Sequence, residues 1–172
     1  PGACERRVLR NEQPTGFVRN ANRGFAASDA DVVVLLNSDT LVCGDWVQRL
    51  QRAAYADDNT GTITPFSNNG TICSYPVFPQ SNSLPAGWSA AELDGIFQAA
   101  NNGQTCEIPT AVGFCMYIKR ACLRETGAFD EENFGHGYGE ECDFSLRASA
   151  LGWKHHIAAD VFVYHEGAAS FA

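Results

Sequence analysis

Five consecutive apolar residues, Val32-Val33-Val34-Leu35-Leu36, run directly into Asn37-Ser38-Asp39-Thr40. Three β-branched residues in a row are stiff at χ1 and suit a pleated surface better than a helix. A segment that is apolar at every position, not at alternate ones, reads as a strand over residues 31–37 buried on both faces. Such strands belong to sheets covered by helices on both sides, and with the alternation of strands and helices along the chain this points to an α/β fold with a largely parallel sheet.

The rest of the chain alternates in the same way. Residues 5–9 read as a short strand. Residues 15–28 read as a helix capped by Thr15, with Phe17, Ala21 and Phe25 on one face. Residues 44–57 form an amphipathic helix turning Trp46, Val47, Leu50 and Ala54 inward. Residues 60–66 form a strand ended by Pro65 and the polar turn Ser67-Asn68-Asn69-Gly70. The stretch 71–87, carrying Pro76, Pro79 and Pro85, is an irregular loop of a length that often serves function. A helix over 89–101 opens with a Ser89–Glu92 capping box. Residues 107–118 read as a strand containing Gly113, and 139–151 as a helix closed by Gly152. Residues 155–164 read as the last strand.

With 172 residues the chain makes one domain, 1–172. Its net charge of -8 argues against general nucleic-acid binding, which needs clustered Lys and Arg. An acidic protein can still take an anionic diphosphate through a bridging divalent cation. The seven cysteines are odd in number, irregularly spaced and without a Cys-x-x-Cys pair, so they read as small buried hydrophobes in a reducing cytoplasm. No charged-then-apolar leader and no membrane-length apolar run is visible, which makes the expected location cytoplasmic.

In parallel α/β sheets, ligands sit beyond the carboxyl ends of the strands. The first such end presents Asp39, a hard oxygen donor for Mg²⁺ or Mn²⁺ or else a helix cap. A second cluster, Phe134-Gly135-His136-Gly137-Tyr138-Gly139-Glu140-Glu141-Cys142-Asp143, brings a glycine-rich approach to a helix start crowded with acids. Acids there complement the helix dipole, but a carboxylate pair beside such a segment also suits a general base. Its spacing does not fit an EF-hand. The third end presents His165, a structural histidine or a metal ligand. Together these suggest one site in which an Asp and a His hold a metal beside a carboxylate base.

Asn11-Glu12-Gln13, Gly16-Phe17, Asn20-Ala21-Asn22-Arg23-Gly24, Asn37-Ser38-Asp39-Thr40 and residues 113–120 occur in an order that resembles family 2 glycosyltransferases of the GT-A fold, in particular bacterial rhamnosyltransferase-like members. The acidic segment from Gly139 to Ala148 resembles that family's Glu-Asp motif, and Val163-Tyr164-His165-Glu166-Gly167 with Ser170-Phe171 resembles its ending. The resemblance implies metal-dependent, inverting transfer of a sugar from a nucleotide-sugar donor to a glycan, lipid-linked or other hydroxyl acceptor, in bacterial cell-surface polysaccharide synthesis, in the cytoplasm or at the inner face of the membrane. It implies Asp39 and His165 as ligands of Mn²⁺ or Mg²⁺, and Asn37, Ser38, Asp39, Gly113 and Tyr138 as donor contacts. Asn37 stands where the family's Asp-x-Asp motif often has its first Asp. The base is Glu141 or its neighbour Glu140, a Glu standing where the family usually has Asp.

The family opens with strands that hold the nucleobase, whereas this sequence starts near the family's third strand. About a quarter of a core of about 150–200 residues is then expected to be missing. Exposed sheet edges would favour self-association into a homo-oligomer or docking with the missing part of a larger chain. A competing reading keeps the fold as a non-catalytic sugar-nucleotide, glycan or scaffold module. Another metal-dependent α/β enzyme is disfavoured by the lack of a P-loop and of further carboxylates. Tyr75, Phe78 and Trp88 are candidates to stack on acceptor sugars or to pack in the core.

Overall fold

A computed structural model describes residues 7–135 and 137–167. Its elements in order are α1 (Gly16–Ala26), β1 (Val32–Leu36), β2 (Thr40–Leu41), α2 (Trp46–Ala54), β3 (Thr60–Phe66), α3 (Ala90–Asn101), β4 (Thr105–Ile108), β5 (Cys115–Lys119), α4 (Arg120–Thr126), α5 (Glu131–Phe134), α6 (Glu140–Ala150), β6 (Lys154–Phe162) and β7 (Tyr164–His165). The main sheet has the order β1-β5-β3-β6-β4, and β2 pairs with β7 in a separate ribbon.

The α/β class and helix-flanked sheet follow the sequence expectation. Strands β1, β3 and β6 share one direction, while β5 and β4 run against their neighbours. The majority direction is what matters for function. The carboxyl ends of β1, β3 and β6 and the start of β5 all reach one edge of the sheet. Residues 37–39, 67–70, 113–114 and 163–167 therefore meet there.

Side chains alternate across β5 and feed two cores. Cys115 and Tyr117 join Leu50, Ala53 and Ala54 of α2 on one face. Met116 and Ile118 join Val18, Ala21 and Phe25 of α1 with Phe144 and Ala148 of α6 on the other. A smaller cluster packs Leu93 and Phe97 of α3 on Phe162.

Several elements differ from the sequence reading. Strand β1 does send Val32 and Val34 to one core and Val33 and Leu35 to the other. Yet it lies at the sheet edge and stays half-exposed, with Leu36 41% exposed. The expected strand 107–118 is two strands separated by a loop containing Gly113. There the Ala111 and Val112 N–H groups donate to the hydroxyls of Ser145 and Thr64, which replace a ladder partner. The expected strand 155–164 breaks at Val163, and its end pairs with β2. Val47 points outward; Arg49 takes the inward position beside Leu50.

Thr15 occupies the N-cap of α1 but makes no capping bond; its hydroxyl accepts from Asn11 Nδ2 at 3.1 Å and donates to Asn20 Oδ1 at 2.9 Å. Residues 7–9 form no strand, and residues 5 and 6 lie outside the described residues. Cys73, Cys115 and Cys122 are buried as expected, whereas Cys106 and Cys142 are exposed; Cys4 lies outside the described residues. No helix among the described residues is long and apolar enough to cross a membrane.

Two local readings reappear in full. Ser89 and Glu92 close a capping box on α3. Helix α6 ends in a Schellman motif, with the Trp153 N–H donating to Ala148 O and the Gly152 N–H to Ser149 O, and Gly152 at φ +93°.

Candidate functional site

Asp39 and His165 come together through the β2–β7 ribbon, in which Thr40 pairs with His165. The Glu166 N–H donates to the Asp39 carbonyl at 3.0 Å, and the Gly167 N–H donates to Asp39 Oδ2 at 3.1 Å. Asp39 Oδ1 is buried without a hydrogen-bond partner and lies 3.5 Å from His165 Nε2.

The ring of His165 is held from three sides. Its Nδ1–H donates to the Asn69 carbonyl at 2.6 Å, its face stacks on Phe114 at 5.2 Å, and Asn37 Nδ2 approaches Nε2 at 3.3 Å. A carbonyl only accepts, so the neutral ring carries its proton on Nδ1 and turns the Nε2 lone pair toward Asp39. A backbone carbonyl behind a ligating histidine is a recurring device of metal sites. Asn68 clamps the same residue, accepting from the His165 N–H at 2.8 Å and donating to its carbonyl at 2.9 Å.

A cleft of about 690 Å³ opens beside His165, and Asp39 is not among its lining residues. Asn37 and His165 line one side of it, and Gly113, Tyr138, Glu140 and Glu141 line the other. The acids stand in the first turn of α6, whose N-cap Gly139 has φ +105°, a value that L side chains rarely adopt. The α6 backbone is tied down by Ser145, whose hydroxyl donates to the Glu141 carbonyl at 2.6 Å. The Ser145 carbonyl in turn accepts from Nε2–H of buried His155 at 2.9 Å.

Glu140 and Glu141 each keep one buried carboxylate oxygen without a partner. Glu140 is 5% exposed. Burial pushes its carboxyl above the ordinary range; its own backbone N–H opposes the shift and the neighbouring Glu141 adds to it. Glu141 lies beside Gly113, where an added Cβ would sit 3.7 Å from Glu141 Oε1, an ordinary contact. Tyr138, at φ +68° and 77% exposed, stands at the mouth.

The structure thus draws Asn37, Gly113, Tyr138, Glu140, Glu141 and His165 into one cleft lining, with Asp39 outside the lining and 3.5 Å from His165. Ser38 is exposed and outside the cleft lining, and His136 lies outside the described residues, as do Ser170 and Phe171. Tyr75 packs edge-on against Phe97 at 5.0 Å, while Phe78 and Trp88 are largely exposed.

Sequence reasoning missed Asn68, Asn69 and Phe114. The signal was present: Ser67-Asn68-Asn69-Gly70 follows a strand end, as Asp39 does, but reads as an ordinary turn. It read Thr15 as the cap of α1 but missed that Thr15 and Gly16 open on the cleft, with no acid in the first turn. An uncapped helix N-terminus there favours an anion.

Among the described residues, no group of three or more His, Cys, Asp and Glu side chains gathers as a metal cage. Asp39 and His165 could serve as two ligands of a cation. The donor types, a carboxylate oxygen and an imidazole nitrogen, suit Mn²⁺ or Mg²⁺, which would supply Lewis acidity if held there.

The family model described as glycosyltransferase like family 2 matches residues 2–172. No curated protein matches the chain. Among solved structures, GalNAc-T7 with UDP, GalNAc and Mn²⁺ is similar at 17% identity and a TM-score of 0.65, over 92% of this chain and 32% of that one. The mannosyltransferase PcManGT from Pyrobaculum calidifontis, in complex with GDP-Man and Mn²⁺, is similar at 14% identity and a TM-score of 0.57, over 91% of this chain and 38% of that one. The chain therefore spans about a third of the length of these structures, and what it shares with them is the GT-A fold.

Proposed function

The chain belongs to the glycosyltransferase like family 2, and from that premise we propose that it transfers a sugar from a nucleotide-diphosphate donor to a hydroxyl acceptor with a divalent cation. One observation carries the reading. His165, whose Nε2 lies 3.5 Å from the partnerless Asp39 Oδ1, lines one cleft together with buried Glu140 and half-buried Glu141. Both solved neighbours hold Mn²⁺ with UDP or GDP-Man, the ligand class that the proposal assigns here.

Asp39 and His165 are the residues that would hold Mn²⁺ or Mg²⁺, with Asn37 steering the imidazole. When bound, the cation supplies Lewis acidity to the donor diphosphate. The start of α1 faces the same space and adds its dipole to phosphate binding. Gly113 leaves room for the transferred sugar in front of Glu141, and Tyr138 borders the donor, whereas Ser38, outside the cleft lining, is assigned no donor contact.

Glu141 is assigned as the base because it faces that room. It takes the proton of the acceptor hydroxyl while the hydroxyl oxygen forms a bond to the anomeric carbon. The bond to the diphosphate breaks on the opposite face, so configuration inverts. Glu140, deeper and harder to ionise, backs Glu141. By its resemblance to the rhamnosyltransferase-like members, the reaction is assigned to bacterial surface-polysaccharide assembly on a glycan or lipid-linked acceptor in the cytoplasm.

The test is Glu141→Gln. Transfer is expected to fall by about 10²–10⁴-fold, the usual worth of a general base, with Mn²⁺-dependent donor affinity retained. Turnover within a few-fold of the parent would remove Glu141 from this role. A binding module of the same fold is the second reading, favoured by Asn37 standing where a second carboxylate would strengthen the metal site. Donor binding without transfer or donor hydrolysis would select it.

A further inference from the structure

Along β7 and the turn after β3, alternate residues face two different spaces. His165 and Gly167, with Asn69 and Gly70, line the candidate active site. Tyr164 and Glu166, with Asn68, line a second cleft of about 660 Å³. Successive residues of an extended chain point to opposite faces, so the two clefts lie back to back across one thin ridge.

The chemistry of the second cleft is distinctive. Ser81, Asn82, Ser83 and Glu166 supply polar atoms, and Leu84 and the Tyr164 ring supply apolar surface. No Lys, Arg or His is among its lining residues. Glu92, hydrogen-bonded to Ser89 at the rim, adds another carboxylate. A phosphate or nucleotide would meet negative charge there with no cation to pair with it. A neutral polyhydroxylated ligand suits it better: hydroxyls both donate and accept, and adjacent sugar hydroxyls can donate together to a carboxylate. The C–H face of a sugar matches Leu84 and the tyrosine ring.

The wall is preformed. Asn82 donates through Nδ2 to the carbonyls of Val77 and Gln80, each at 2.9 Å, and through its backbone N–H to the Asn68 carbonyl at 2.9 Å. Tyr164 donates its hydroxyl to Glu166 Oε2 at 2.5 Å, which fixes the carboxylate and leaves Oε1 to accept. Asn68 is both wall of this cleft and clamp of His165.

We propose that the second cleft is a subsite for the distal sugars of a neutral acceptor glycan, whose reacting end crosses the ridge into the active site. The proposal rests on the transferase reading and names its acceptor class.

The experiment uses saturation-transfer NMR and calorimetry with neutral linear tetrasaccharides and their phosphorylated counterparts. Donor affinity in Mn²⁺ is measured in parallel. At least one neutral tetrasaccharide is expected to bind, and phosphorylation is expected to weaken it. Ser83→Trp, which fills the cleft from an exposed position, is expected to weaken binding by at least about tenfold. Glu166→Gln, which changes little but charge, is expected to weaken it by about tenfold. Donor affinity should stay unchanged in both variants. Equal tetrasaccharide binding by the parent and both variants would overturn the subsite, as would a parent that binds donor but no neutral tetrasaccharide. Loss of donor and glycan binding together in the parent protein would bring down the transferase reading, and the subsite with it.

Discussion

Asp39 gives one carboxylate oxygen to the Gly167 N–H and keeps the other buried without a hydrogen-bond partner, an arrangement that costs stability and that the proposed cation would relieve. Glu140 is in a similar position without a metal role. Because burial raises its carboxyl, the folded protein holds that proton to higher pH than the unfolded chain does. Its contribution is fully present below the unfolded value of 4.5 and is lost as pH rises through the folded value. Glu140→Gln is therefore expected to raise the melting temperature at about pH 8 and to leave it unchanged at about pH 4. Equal effects at both would show that the charge is not desolvated in the fold. Gly113 makes a separate test, since an added Cβ meets nothing closer than 3.7 Å. Gly113→Ala should keep stability within about 0.5 kcal/mol. It should lower transfer by about tenfold or more, because the methyl occupies the space before Glu141. Transfer at the parent rate would show that the sugar does not pass there. The identities of these residues were legible in the sequence. The Asn69 carbonyl behind His165 was not, because any residue at position 69 could supply a carbonyl.

Elements were read well where their signals are local and poorly where they depend on neighbours. Ser89, Glu92 and Gly152 act within a few residues of themselves, so the ends of α3 and α6 were legible. The loop between β4 and β5 was not. Its apolar residues Ala111 and Val112 resemble a continuing strand, and only the hydroxyls of Ser145 and Thr64, distant in sequence, show that no ladder forms. Helix α2 carries another long-range feature. Arg49 is fully buried and pairs with Asp94 of α3 at 2.6 Å, and Asp94 also accepts the Phe162 N–H at 3.0 Å. This joins α2, α3 and β6. Arg49→Met should cost about 3–5 kcal/mol in urea unfolding, since it leaves a carboxylate buried without its partner. A loss below about 1 kcal/mol would mean that the pair does not bind these elements together.

Over the whole molecule, strand direction matters more than strand neighbours. Three co-directional strands and one reversed strand deliver Asp39, Asn69, Gly113 and His165 to one edge of the sheet, and α6 brings Glu140 and Glu141 against it. The sequence pattern led to that edge through the rule for α/β sheets, although the order of strands and the edge position of β1 are set by pairings it does not display. The central claim is that Asp39 and His165 together hold a cation at the edge of this cleft, where His165 lines it. Pulsed electron paramagnetic resonance of the protein with Mn²⁺ and a nucleoside diphosphate tests it directly. The account predicts one bound Mn²⁺ with imidazole-nitrogen modulation that disappears in His165→Gln, and loss of bound Mn²⁺ in Asp39→Ala. Bound Mn²⁺ with no nitrogen modulation, or with a spectrum unchanged by both substitutions, would contradict it.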